Sequence, residues 1–267
     1  MSQVSVRNLW MEYPGQIVLE RVNLEIASGE FVALLGPSGC GKTTFLRLLL
    51  SMERPTRGRI LLDGTPLPHE PGPDRGVVFQ RYSVFPHLTV IENTILGLEF
   101  AGSRLLGKLF GAARRRAIAE AEHAIDCVGL SAARDKYPAQ LSGGMQQRLA
   151  IAQTLIRKPK LLLLDEPFGA LDPGTKQQMY ELITRLWREE RMTVFMVTHD
   201  LKEGFSLATR VLTFDKVRVD PQAPGAYGAT ITFNLPLERK RREALAAAQK
   251  AEEQTARVDA ETGQPTP

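Results

Sequence analysis

The sequence predicts an α/β fold: a mostly parallel core sheet, an antiparallel β subdomain ahead of it, and a helical lobe inserted between core strands. Three observations carry this. Apolar runs at 31–35 and 161–164 read as buried strands, as parallel strands do, and 193–197 reads as the next strand. The first 26 residues instead alternate apolar with polar side chains, the pattern of half-buried strands. Between 80 and 138 the strand patterns vanish and helical spacing takes over.

Element by element, Val4 and Val6, then Val22, Leu24 and Ile26, set the first alternation, and Tyr13-Pro14-Gly15 breaks it with a turn. The run 31–35 ends in a glycine-rich loop. Residues 42–50 follow as a helix, with Phe45 and Leu49, and Leu46 and Leu50, four apart. A short strand at 59–62, a turn at Asp63-Gly64 and a strand at 76–79 come next. Helices are expected at 89–98, 112–128 and 142–156, the last with Met145, Leu149, Ala152 and Ile156 on one face. After strand 161–164, Asp172 and Pro173 open a helix as N-cap and first residue. Its stripe of Met179, Leu182, Ile183, Leu186 and Trp187 reads as core packing. Strand 193–197 closes a βαβ unit and so requires a parallel sheet.

Composition narrows the class. With 267 residues, 43% hydrophobic and 24% charged, the chain suits one large domain, or one carrying an inserted lobe. No stretch approaches the roughly 18–20 consecutive apolar residues of a membrane span. The opening MSQVSVRNLW has no apolar signal segment and argues against secretion. Two cysteines, Cys40 and Cys127, make neither a disulfide framework nor a zinc site, and point to a reducing cytosol. The net charge of +4 is a mild bias without the concentrated patch of a nucleic-acid binder. The basic runs at 114–116 and 239–242 read as solvated helix faces. Residues 238–267 hold six acids and six bases, and form a charged, partly disordered tail.

Three segments carry chemistry. Residues 36–43, GPSGCGKT, follow a strand and precede a helix. Glycines let backbone N–H groups converge, the helix dipole points the same way, and Lys42 adds positive charge for β- and γ-phosphates. The Thr43 hydroxyl suits Mg²⁺. Residues 161–166, LLLLDE, deliver Asp165 to a sheet's carboxyl edge for Mg²⁺, with Glu166 placed to orient or deprotonate water. In LSGGMQQR, residues 141–148, Ser142 caps a helix and Gly143 and Gly144 leave its N-terminus open. One nucleotide does not need two such anion sites from one chain, so a pair of chains completing each other's sites is expected. His69, His87 and His123 read as surface residues. Cys40, at a helix N-terminus, is expected to react with thiol reagents and to be protected by ATP.

At these segments the sequence resembles the ATP-binding subunits of ABC transporters, over roughly residues 2–215. The ordered set is GPSGCGKT, the glutamine of VVFQ, LSGGMQQR, LLLLDEP, GALD and VTHD. The resemblance implies a P-loop NTPase with a RecA-like core over 1–237 and a helical lobe at about 81–156. It implies that Tyr13 stacks on adenine. Gly36, Pro37, Ser38, Gly39, Cys40, Gly41, Lys42, Thr43 and Thr44 would cradle the phosphates. Thr43, Gln80 and Asp165 would meet Mg²⁺. Ser142, Gly143 and Gly144, with Gln146, would hold the ATP of a partner chain, and Asp172 would cross the dimer interface. Glu166, His199 and Lys42 form the implied catalytic set, with His199 on the γ-phosphate.

The implied reaction is ATP hydrolysis in a head-to-tail homodimer, or a dimer with a close homologue. Separate permease subunits would dock on the lobe near Phe79, Tyr82, Phe85 and Pro86. A periplasmic or lipid-anchored substrate-binding protein would act indirectly, and nucleic acid would not be a partner. The expected location is peripheral, at the cytoplasmic face of the inner membrane. Residues 73–93 are similar to the nitrate, sulfonate and taurine importer group, with guanidine- or urea-related importers a variant. Two departures stand out: a long basic stretch at 102–116, and 217–236, which reads as strand-turn-strand. A lipid- or lipoprotein-handling transporter is an alternative. A non-transport ATPase of DNA repair or translation is another, though the coiled-coil arm, zinc ligands or tandem motifs usual there are missing.

Overall fold

A computed structural model describes residues 2–79, 84–102, 107–169 and 171–237. Gln80, Tyr82 and the tail 238–267 lie outside the described residues. Two sheets form. β1 (Val4–Tyr13), β2 (Gln16–Ile26), β4 (Arg57–Leu62) and β5 (Thr65–Pro66) make an antiparallel sheet in the order β2-β1-β4-β5. The second sheet runs β10-β9-β3-β8-β7-β6, from β3 (Phe31–Leu35), β6 (Arg75–Val78), β7 (Leu161–Asp165), β8 (Thr193–Val197), β9 (Arg210–Asp215) and β10 (Thr230–Pro236). Its strands are parallel except β10, which pairs antiparallel with β9.

The continuous apolar runs are continuous because both faces are buried. Phe31, Ala33, Leu162, Leu164, Val194 and Met196 enter one core, while Val32, Leu34, Leu161, Leu163, Phe195 and Val197 enter the other. Alternate side chains therefore serve opposite cores, and only the strand ends Thr193 and Asp165 are polar. On one side lie the antiparallel sheet and α1 (Lys42–Leu49), whose Phe45 packs on Phe195 and Phe214 at ring distances of 6.2 and 5.2 Å. On the other side lie α4 (Gly143–Leu155) and α5 (Pro173–Glu190), with α2 (Val90–Gly102) and α3 (Gly111–Cys127) of the lobe. The α5 stripe is core as expected. Met179, Leu182, Ile183 and Leu186 are buried, and Trp187 packs edge-on against Phe31 at 5.6 Å while donating to the Gly29 carbonyl. Each such apolar side chain stabilises by about 1.5–3 kcal/mol on full burial.

One expectation is corrected. The stretch 217–236 is not strand-turn-strand: only Thr230–Pro236 is extended, and its partner is β9 upstream. Val217 and Val219 are 71% and 72% exposed, because the sheet positions beside β9 are already taken by β3 and β10. Among the described residues no helix is long and apolar enough to cross a membrane.

Candidate functional site

β3, β7 and β8 end at one edge of the parallel sheet, and the residues following each converge there. The loop after β3 leads into α1 through Gly41, the N-cap, at φ +91°. No side chain caps this helix, and its first turn holds no acid. Its unpaired N–H groups and positive dipole end face an incoming anion. A Cβ on Gly41 would meet Leu19 at 2.8 Å, and one on Gly36 the Phe214 carbonyl oxygen at 2.2 Å. The loop is thus pressed onto β2 and β9, and only glycine fits at those positions.

Lys42 is buried, and its ammonium donates to the Gly36 and Pro37 carbonyls at 2.7 and 2.8 Å. The lysine closes the cradle on itself, holding the charge where a triphosphate would draw it. Pro37, Ser38, Gly39 and Thr43 are exposed and Thr44 half-buried. Cys40 is only 4% exposed, with its sulfur 3.7 Å from the Lys42 ammonium. This burial limits the access of the thiol reagents that the sequence leads one to expect there.

At the end of β7, Asp165 accepts from the Thr43 hydroxyl at 3.4 Å. Burial, and then the neighbouring Glu166 charge, push its carboxyl above the usual carboxylate range, against the pull of Thr43, Arg47 and Lys42. A hydroxyl and a carboxylate carrying excess negative potential are the oxygen donors a hard divalent cation prefers. Glu166 sits at φ +47°, a conformation that costs a non-glycine residue about 1 kcal/mol. Its N–H continues the ladder to the Val197 carbonyl at 3.0 Å, while its carboxylate lies 3.7 Å from His199 Nδ1. His199 is 69% exposed at the end of β8, so Glu166 and His199 face open space over the loop.

Tyr13 stands in the β1–β2 turn, 38% exposed. Its hydroxyl donates to Glu53, and burial with that carboxylate raises the phenol's pKa. Ser142 caps α4, accepting from the Met145 N–H at 3.3 Å. Gly143 is open, whereas Gly144 lies against Thr175 at the start of α5. Gln146 donates to the Pro138 and Leu141 carbonyls. Asp172 caps α5 by accepting from the Thr175 N–H at 3.0 Å, and its bonds to Thr175 lower its pKa. Among the described residues, no hydrogen bond or ion pair joins 142–146 or Asp172 to the loop 36–44. His69, His87 and His123 are exposed, as expected.

A residue that pattern reasoning missed is Glu203 on α6 (Leu201–Leu207), 4% exposed. It accepts from Thr198 at 2.5 Å, Tyr180 at 3.0 Å and Lys176 at 3.3 Å. It ties α5 to the residue just before His199.

The family model described as ABC transporter matches residues 19–169. The chain is 42% identical over 224 residues to the nitrate import ATP-binding protein NrtD of Synechococcus elongatus, covering 84% of this chain and 78% of that one. It is 44% identical over 244 residues to the bicarbonate transport ATP-binding protein CmpC of the same species, covering 89% of this chain but 35% of that longer one. Among solved structures, a dimeric bacterial ABC transporter cassette superposes with TM-score 0.70 at 29% identity, covering 88% of this chain and 99% of that one.

Proposed function

The chain belongs to the ABC transporter family of ATP-hydrolysing, membrane-associated ATP-binding subunits, and on that premise we propose that it drives a bacterial importer of a small anion or polar solute. One observation carries the mechanism: the phosphate loop, Asp165 with Glu166, and His199 meet at the shared carboxyl edge of β3, β7 and β8. Mg²⁺ would be held by Thr43 and Asp165, with Gln80 in support, and would neutralise charge on the phosphates. Lys42 leaves the Gly36 and Pro37 carbonyls for the β- and γ-phosphates. Glu166 accepts a proton from the attacking water as its oxygen bonds the γ-phosphorus and the bridge to ADP breaks. His199 orients the γ-phosphate. Catalysis is then positioning and charge stabilisation, as is general for phosphoryl transfer.

Ser142, Gly143 and Gly144 close the site of a partner copy in a head-to-tail dimer, and Asp172 borders that contact. A cavity of 260 Å³ lies between β6, α2 and α4, walled by Val77, Phe79, Phe85, Gln153 and Arg157, and adjoins one of 370 Å³ that shares Val77, Phe79, Gln153 and Arg157 but opens toward 50–52 and 71–76. This groove supports the reading that permease subunits dock on the lobe, with Phe85 42% exposed at its rim. The subunit would sit at the cytoplasmic face of the inner membrane, with a substrate-binding protein acting on the far side and no nucleic acid involved. Its relatives NrtD and CmpC, of nitrate import and bicarbonate transport, favour a small anion as cargo.

Glu166→Gln tests the mechanism. The variant should bind ATP normally, accumulate as an ATP-bound dimer by size exclusion, and lose turnover. Full hydrolysis by it would remove Glu166 from its role. Co-purification of a permease with the tagged chain tests the transport reading.

A further inference from the structure

Between β9 and β10 the chain makes an ordered excursion, residues 216–229, that lies along β2 rather than in solvent. Ile17 N–H donates to the Gly225 carbonyl at 2.8 Å, Glu20 N–H to Ala229 at 2.9 Å, and Ala229 N–H to Val18 at 2.9 Å. Arg218 pairs with the Glu20 carboxylate, which also accepts from Gly228 N–H at 3.3 Å. The Arg218 guanidinium lies over the Tyr227 ring at 4.2 Å. Glu20 is 8% exposed, so this ion pair is anchored at one end.

The contacts leave no room for a side chain. A Cβ on Gly225 would meet the Gly15 carbonyl oxygen at 2.4 Å, and one on Gly228 would meet the Leu19 carbonyl carbon at 2.8 Å and the Glu20 nitrogen at 2.9 Å. Gly15 belongs to the turn that carries Tyr13. Val18 and Leu19, one step along, are the residues against which Gly41 of the phosphate loop is pressed. The strap therefore backs the segment that spans both the aromatic turn and the loop.

We propose that the 216–229 strap is a positioning element for the nucleotide base: through Gly225 it sets the height of the 13–16 turn, and so the seat of the Tyr13 ring. This rests on the reading of Tyr13 as the adenine platform. Its closest backbone approach, where a Cβ on Gly225 would come within 2.4 Å of the Gly15 carbonyl oxygen, is at the turn, so its effect is assigned to the base.

The test uses the full chain with two probes, Mg·ATP and Mg·tripolyphosphate, which carries the phosphates without a base. Gly225→Val lifts the turn, and Arg218→Ala loosens the strap without adding bulk, which keeps the test open should the valine variant fail to fold. Both should raise KM for ATP, by about tenfold for Gly225→Val, within the range that ring stacking supplies. Turnover should stay within about twofold, and inhibition by tripolyphosphate should not change. In a Tyr13→Ala background, Gly225→Val should add no further loss. Unchanged ATP affinity in folded variants overturns the inference, as does an equal loss for tripolyphosphate or an additive double variant. If Tyr13→Ala alone leaves ATP affinity intact while the wild type binds ATP, the platform reading itself falls, and the inference with it.

Discussion

At the scale of single residues the site stores unfavourable charge. Asp165 and Glu166 are consecutive carboxylates at the end of a buried strand, and burial together with the Glu166 charge raises the Asp165 pKa. A carboxyl raised in the fold contributes stability that is fully present below its unfolded pKa and is lost as pH rises through the folded one. At neutral pH the ionised Asp165 therefore destabilises the ligand-free chain. Asp165→Asn should melt at a higher temperature than the wild type near pH 7, and the gain should vanish as pH falls through the raised carboxyl range. Thermal melts from about pH 4 to pH 8 without nucleotide check this. A gain that is independent of pH, or a loss at neutral pH, would sink it. Mg·ATP should reverse the order, because only the wild type keeps the carboxylate that a divalent cation prefers.

At the scale of elements, the short helix α6 does what its sequence conceals. It turns Leu201 and Phe205 outward, at 60% and 45% exposure, and buries Glu203 and Gly204. A hydrophobic pattern read from the sequence misleads here, because the helix is fixed by a charged anchor together with buried Leu207 and the close approach of Gly204 to Ala33 and Leu35. Glu203→Ala leaves Lys176 and Tyr180 without their shared acceptor, and should destabilise by about 3 kcal/mol in denaturant titrations. The milder Glu203→Gln keeps an acceptor for Thr198, so it should fold. It should lower kcat with ATP affinity unchanged, because a neutral amide loosens the hold of Lys176 and Tyr180 on the segment that carries His199; a change confined to stability would leave Glu203 with no part in positioning. The strands and long helices were legible in the sequence because burial on two faces, or on one helical stripe, dictates residue type. Strand β9 and helix α6 were not. The apolar run of β9, RVLTFD, is interrupted by Thr213, and what holds α6 is a long-range network to α5 that spacing cannot report. The phosphate loop and the carboxyl pair were legible because their chemistry needs a fixed order of residues. The curled state of Lys42 and the burial of Cys40 depend on packing from β2 and β9, which lie distant in sequence.

At the scale of the whole molecule, one chain presents two helix N-termini suited to anions. That of α1 opens over the Asp165 and Glu166 edge. That of α4, capped by Ser142, instead abuts the start of α5 through Gly144 and Thr175. With no hydrogen bond or ion pair among the described residues linking the two, the second site fits a ligand held mainly by another copy. In a head-to-tail pair, each ATP would lie between the loop of one chain and Ser142 of its partner, a contact that uses a different patch on each side of each site but closes by two-fold symmetry. Two inactive variants then complement each other. Lys42→Ala disables a chain's own loop, and Ser142→Arg disables what it lends. In a mixed dimer, one site combines both defects and the other is intact. With random mixing, half the dimers are mixed and each keeps one site of two, so about a quarter of wild-type ATPase activity should return. Activity of each variant alone should stay near background. If mixing restores nothing while each variant still binds ATP or dimerises as its intact half allows, then each chain's α4 N-terminus serves its own nucleotide or none, and the shared-site arrangement fails.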